Sequence, residues 1–195
     1  MNKLRGFTIV EFLVVTVVIA SIGLVIVGIL TSSLRSTNKT NIVNIVRVNG
    51  NGAIIQMTRA IEYAENFEGV SLDGVTYKTD CTQVVVPTST PTPTPTQYTF
   101  VKITAFDGGQ VIFSCTSPPD PTPQAIASNS ASLIDINAVS VVPGKCWFTC
   151  NQDRVTSNPI IGISFQLQQT LKSPFAEKTA SIPFETSVTF RNLGK

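Results

Sequence analysis

Apolar positions along this chain change their spacing twice. Residues 7–30 read FTIVEFLVVTVVIASIGLVIVGIL, and the 19 residues from Phe12 to Leu30 contain neither charge nor proline. As a helix, this run covers about 28 Å, close to the ~30 Å hydrocarbon core of a bilayer. Val and Ile dominate it, yet a lone strand cannot satisfy its backbone in lipid, so a helix is expected. Beyond it, Ile42, Ile45, Val46, Ile54, Ile55, Thr58, Ile61 and Ala64 fall near helical spacing, with Glu62 and Glu65 directed elsewhere. The spacing predicts that the helix continues to a stop near Gly69, with a weak point at 49–52, where Gly50 and Gly52 each cost about 1 kcal/mol.

After Gly69 the period falls to two. YTFVKITAF (98–106) alternates, DGG (107–109) signals a tight turn, and QVIFSC (110–115) supplies the partner strand. Further strands are expected at 131–142, 145–150, 159–169 and 180–191, which are rich in Val, Ile, Thr and Phe. The fold class that follows is α+β: a long N-terminal helix packed on an antiparallel β-sheet domain. PTSTPTPTPT (87–96) and SPPDPTP (117–123) cannot enter a sheet interior, because proline lacks an N–H donor. They read as extended surface loops, the first either a plain spacer or a carrier of O-linked sugars.

Composition narrows the function. Charged residues make up 13% of the 195, about half the usual ~25%. Lys3 and Arg5 account for the whole net charge of +2, so the remainder balances. No basic patch points to nucleic acid as a primary partner. The chain has no histidine, the commonest general base and metal ligand, and no catalytic motif such as GxSxG or a P-loop. No enzyme activity and no cofactor are expected.

Lys3 and Arg5 precede the apolar run and favour a cytoplasmic N-terminus with the rest exported; Arg35 and Lys39 weaken that bias without reversing it. An ordinary secretory signal does not fit, because the run is too long and lacks a small-residue cleavage site behind it.

Four cysteines, Cys81, Cys115, Cys146 and Cys150, follow the run. In an exported segment, disulfides are the expected use. A zinc site fits poorly, since the spacings are wide and there is no CxxC; buried free thiols are the other alternative. In an extended strand, Cys146 and Cys150 share one face about 13 Å apart, beyond the ~7 Å a disulfide spans. Either a turn joins them or each pairs elsewhere, and all three connectivities remain open.

The stretch Lys3-Leu4-Arg5-Gly6-Phe7-Thr8-Ile9-Val10-Glu11, followed at once by the apolar run, resembles the N-terminal signature of type IV pilins and type II secretion pseudopilins. The likeness covers roughly residues 3–30; the rest agrees only in layout. It implies that a prepilin peptidase cuts on the cytoplasmic face after Gly6 and methylates Phe7. It also implies that Glu11 pairs with a neighbouring subunit's N-terminal amine during filament assembly. The implied division is 1–6 leader, 7–30 transmembrane and filament-core helix, 31–69 amphipathic continuation, and 70–195 exported β-rich domain. The implied partners are other pilin subunits, the peptidase, an inner-membrane assembly platform and membrane lipid. Many major pilins carry a proline within the apolar helix; here none precedes residue 87, and only Gly23 and Gly28 interrupt the run. A strand-rich domain with Pro/Thr loops is nearer the larger minor pilins or pseudopilins. The alternative is a membrane-anchored adhesin or binding domain that never polymerises.

Overall fold

A computed structural model describes residues 8–82, 95–115, 125–154, 157–170 and 180–191. Helix α1 runs from Ile9 to Glu62, 54 residues, or about 80 Å at 1.5 Å per residue. The chain divides into two compact units, Met1–Asn41 and Ile42–Lys195. The described part of the first is helix preceded by Thr8. The second holds the remainder of α1 and two antiparallel sheets, so the α+β class holds.

Among the described residues, nine strands follow the helix: β1 Asn66–Ser71, β2 Gln97–Tyr98, β3 Phe100–Thr104, β4 Gln110–Ser114, β5 Ala127–Ser128, β6 Ala131–Ser132, β7 Val139–Asn151, β8 Ile160–Gln169 and β9 Ser181–Thr189. One sheet has the order β1-β3-β4-β5-β6 and the other β2-β7-β8-β9. The expected hairpin is present: β3 and β4 pair from Phe100↔Ser114 to Thr104↔Gln110. Its turn closes through the Gly108 N–H to Ala105 O (2.9 Å), while Asp107 Oδ1 accepts the Gly109 N–H at 3.0 Å.

The helix buries Val46, Gly50, Ala53, Met57 and Ile61. That stripe is rotated from the one the apolar spacing predicts: Ile45 and Ile55 are exposed. The reason is size. Gly50 and Ala53 let other groups approach the backbone closely, and an added Cβ on Gly50 would overlap the ring of Phe184 in β9. The two glycines at 50 and 52 therefore do not interrupt the helix.

The helix also ends earlier than its spacing predicts. After Glu62 the chain turns, and the Glu65 N–H donates to Thr104 O, so residues 66–71 join the first sheet as β1. Gly69 is not a helix cap. It sits at the bulge in β1 with φ +127°, and a Cβ there would press on the Lys78 carbonyl. The end of α1 is held instead by Arg191, whose N–H donates to Glu62 O at 2.9 Å and whose side chain pairs with the Glu62 carboxylate.

Two expected strands are rearranged. Residues 131–142 are not one strand: only Ala131–Ser132 and Val139 onward are extended. Between them, Asp135 O accepts the N–H groups of Ala138 and Val139, which bends the chain. The segments around 139–142 and 145–150 merge into β7. Pro143 and Gly144, the latter at φ +70°, are absorbed where the register jumps between Val141 and Cys146. A proline without an N–H is tolerated at such a bulge.

The core lies between the helix and the inner faces of the sheets, where Val101, Ile103, Phe113, Phe148, Ile161, Phe165 and Leu167 are buried with Met57 and Ile61. Phe165 and Phe184 stack at 5.2 Å, and Phe67 meets Phe190 at 5.5 Å.

Candidate functional site: the helix start and the cystine-linked domain

Thr8 is the N-cap of α1. Its carbonyl accepts the first helical bond, from the Phe12 N–H (3.2 Å), and its hydroxyl accepts the Glu11 N–H at 3.3 Å. Thr8-Ile9-Val10-Glu11 therefore has the Thr-x-x-Glu spacing of a capping box. That signal was present in the sequence beside the charge argument for Glu11. It gives Glu11 a local setting: an acid in the first helical turn, at the positive end of the helix dipole. Gly6 and Phe7, the residues of the expected cut, lie outside the described residues.

From Ile9 to Leu34 the large apolar side chains are between 43% and 85% exposed, so no described part of the same chain covers them. The helix is long and apolar enough to cross a membrane. Within and directly after the apolar run, three hydroxyls are satisfied internally: Thr16 donates to Leu13 O, Ser21 to Val18 O, and Thr31 to Val27 O and Gly28 O, at 2.8–3.0 Å. Such back-bonding is what hydroxyl groups need where no water is at hand. A cation just after the span, Arg35, is on the same helix.

All four cysteines are paired. Cys81 bonds to Cys150 and Cys115 to Cys146, each with Cα atoms 5.5 Å apart. Cys146 and Cys150 share β7 and each pairs elsewhere: Cys146 joins β7 to Cys115, directly after β4 of the first sheet, and Cys150 joins it to Cys81, whose neighbour Thr82 bridges Gln152 beside the end of β7. With every sulfur in a disulfide, no thiolate is left for zinc. The Cys81 end is further tied down where Gln152 Oε1 accepts the Cys81 N–H at 3.2 Å. Disulfides of this kind suit a domain exported to an oxidising compartment.

Just before Cys81 a compact polar loop follows β1. The Asp73 carboxylate accepts the Ser71 hydroxyl (2.7 Å) and the N–H groups of Val75 and Thr76 (2.9 Å each). These bonds, led by that from Thr76, hold its pKa down at about 2. Asp80 is lowered in the same way, chiefly by the Thr82 hydroxyl at 2.6 Å. These acids are turn-formers with local partners, and among the described residues no group of three or more His, Cys, Asp or Glu is placed to hold a metal ion.

The Pro/Thr segment 87–96 lies outside the described residues except at positions 95 and 96, and 117–123 lies wholly outside them. Compared with known proteins, the chain matches no family model, no curated protein and no solved structure.

Proposed function

We propose that this chain is a structural subunit of a type IV pilus or a related secretion or uptake filament, in the manner of a minor pilin or pseudopilin. The observation that carries this reading is the helix start. A capped first turn bearing one acid, Glu11, opens an apolar helix whose surface is left uncovered by the described chain. A leader of the form Lys-Leu-Arg-Gly precedes it. Cutting after Gly6 removes Lys3 and Arg5, which resist leaving the cytoplasmic interface, and creates an amine one turn before Glu11. In the assembled filament that amine and a neighbour's carboxylate neutralise each other, and wrong registers leave a charge buried and unpaired. The exposed apolar faces of many copies then pack together, and the cystine-linked domain stays outside the cytoplasm.

The chain expressed with a prepilin peptidase, purified from membranes and weighed intact, tests this. The expected mature start is Phe7 carrying one N-methyl group, with the protein present in the sheared surface fraction. A mature start at Met1 together with exclusive retention in the membrane would overturn the proposal in favour of an anchored, non-polymerising binding domain.

A further inference from the structure

The outer face of the second sheet carries the chain's only tryptophan. Alternation along β7 turns Phe148 and Cys150 into the core and sets Trp147 and Thr149 on the opposite face. There the register aligns Trp147 with Ser164 in β8 and Glu185 in β9, and Thr149 with Gly162 in the adjoining row. Around Trp147 this face is mostly polar: Ser164, Gln166 and Gln168 alternate along β8, with Glu185 and Ser187 on β9, and its apolar positions Ile160 and Pro183 stand outside the row of Trp147. An indole here adds nothing to the core on the other side of the sheet.

Trp147, Thr149, Gly162, Ser164 and Glu185, with Ile163 and Thr186 between them, line an open depression of about 210 Å³. Gly162 forms its floor, and the Thr149 hydroxyl lies across that glycine so closely that a Cβ would overlap it. Ser164 Oγ donates to one oxygen of Glu185 at 3.3 Å, leaving the other carboxylate oxygen as an acceptor. Neighbouring strands lie about 4.8 Å apart, so Trp147 and Glu185 stand about 10 Å apart across Ser164. The Cys115–Cys146 bond fixes the backbone next to Trp147, so the platform is built on a pinned strand.

We infer that this depression is a binding site for a neutral pyranose sugar. The C–H face of a pyranose ring is apolar and slightly positive, which matches the negative π-face of an indole. Its hydroxyls are donors and acceptors at once: the free Glu185 oxygen and the Ser164 hydroxyl, whose proton goes to Glu185, take donated protons, and the Thr149 hydroxyl serves either role. No Lys or Arg lines the site, so a phosphate or acidic sugar would meet only Glu185's like charge. A quaternary ammonium would need several aromatic walls, and there is one. The volume falls below the ~300–1,000 Å³ of sites for drug-sized molecules and suits about one ring of a longer glycan. This inference stands on the sheet face alone and does not rest on filament assembly.

Because Trp147 is the only tryptophan, its fluorescence reports on this site alone. The full chain, in a detergent without a sugar headgroup, is titrated with glucose-, galactose- and N-acetylglucosamine-based oligosaccharides. A glycan array and calorimetry follow, for wild type, Trp147→Ala, Trp147→Phe and Glu185→Gln. At least one neutral series is expected to shift the emission saturably. Trp147→Ala should weaken that binding tenfold or more, and Trp147→Phe and Glu185→Gln several-fold. Glu185 is exposed, so its variant keeps the fold even if Trp147→Ala does not. The inference is overturned if no series gives a saturable shift, if acidic glycans bind better than neutral ones, or if Glu185→Gln and Trp147→Phe bind like wild type.

Discussion

Gly50 of α1 faces Phe184 of β9 so closely that the glycine has no room for a methyl group. Phe184 in turn stacks on Phe165 of β8, so the helix, β9 and β8 meet at one point in the core. Gly52, two residues on, has nothing within 4 Å of where its Cβ would lie. The two glycines should therefore respond in opposite directions to alanine. Gly52→Ala gains helix propensity and should stabilise the domain by about 0.5–1 kcal/mol. Gly50→Ala gains the same propensity but forces the Phe184 ring aside. Overpacking costs about 1–3 kcal/mol, so the net change should be a loss of about 1–2 kcal/mol. Chemical denaturation of the two variants beside wild type checks this. Equal gains at both sites would mean that the ring moves freely.

The disulfides cross-link residues 31 and 69 positions apart. By chain entropy alone each loop closure is worth about 4 kcal/mol, though the loops are nested and the two do not add. The double variant Cys115→Ser/Cys146→Ser should lose about 2–4 kcal/mol, a fall in Tm of about 10 °C. Non-reducing peptide mapping should recover the Cys81–Cys150 and Cys115–Cys146 pairs from one chain. Recovery of a Cys146–Cys150 peptide would contradict the extended β7 that separates those residues.

Elements that depend on local pattern were legible in the sequence, and those that depend on distant partners were not. The apolar helix, the β3–β4 hairpin around Asp107-Gly108-Gly109, and β8 and β9 follow from periodicity and turn residues within a few positions. Gly69 looked like a helix stop because glycine serves helix ends and β-bulges alike; pairing with β3, 31 or more residues away, decides between them. Ile45 and Ile55 looked as apolar as their neighbours, and only the approach of Phe184 to Gly50 shows which helix face is buried. Pro143 lies between the segments expected as separate strands, 131–142 and 145–150; its ring ends a regular ladder, yet a bulge carries β7 past it. The alternation in Cys146-Trp147-Phe148-Thr149-Cys150 already placed Trp147 opposite the sulfurs. What it lacked was Ser164, Gly162 and Glu185, which register alone brings alongside.

The Asp73 loop gives the domain a defined acid response. Its carboxylate is held at about 2, below the 3.8 of a free side chain, by the N–H and hydroxyl groups that point at it. A depressed folded-state pKa stabilises above the unfolded value and loses that contribution as pH falls towards the folded one. The relevant window is therefore about pH 4 down to about pH 2. Asp73→Asn keeps an acceptor oxygen and removes the charge. The variant should melt below wild type at pH 6, and the two should converge as pH approaches 2. A constant difference across that range would show that the carboxylate's charge does not matter.

Glu11 separates capping from charge. As the fourth residue of Thr-x-x-Glu it supports the first turn of α1, while its carboxylate is the partner assigned above to a neighbour's amine. Glutamine preserves the capping-box pattern and removes the charge. Glu11→Gln should leave the helix start intact and membrane insertion no worse, because a charged group inside a span costs several kcal/mol. Thr8→Ala does the reverse: it removes the cap, at about 0.5–2 kcal/mol, and leaves the charge. If Glu11 acts through charge, Glu11→Gln empties the sheared filament fraction, and Thr8→Ala lowers it only modestly. The penalty for an amine buried without its carboxylate is about 3–5 kcal/mol, more than loss of the cap. Both variants should keep both cystines and the thermal stability of the domain, since the packing of Ile42–Lys195 uses neither residue. Each variant is expressed as the sole copy, and sheared and membrane fractions are compared by quantitative blotting. Wild-type levels of sheared Glu11→Gln, with a loss in Thr8→Ala, would make Glu11 a capping residue and remove the electrostatic basis for the filament reading.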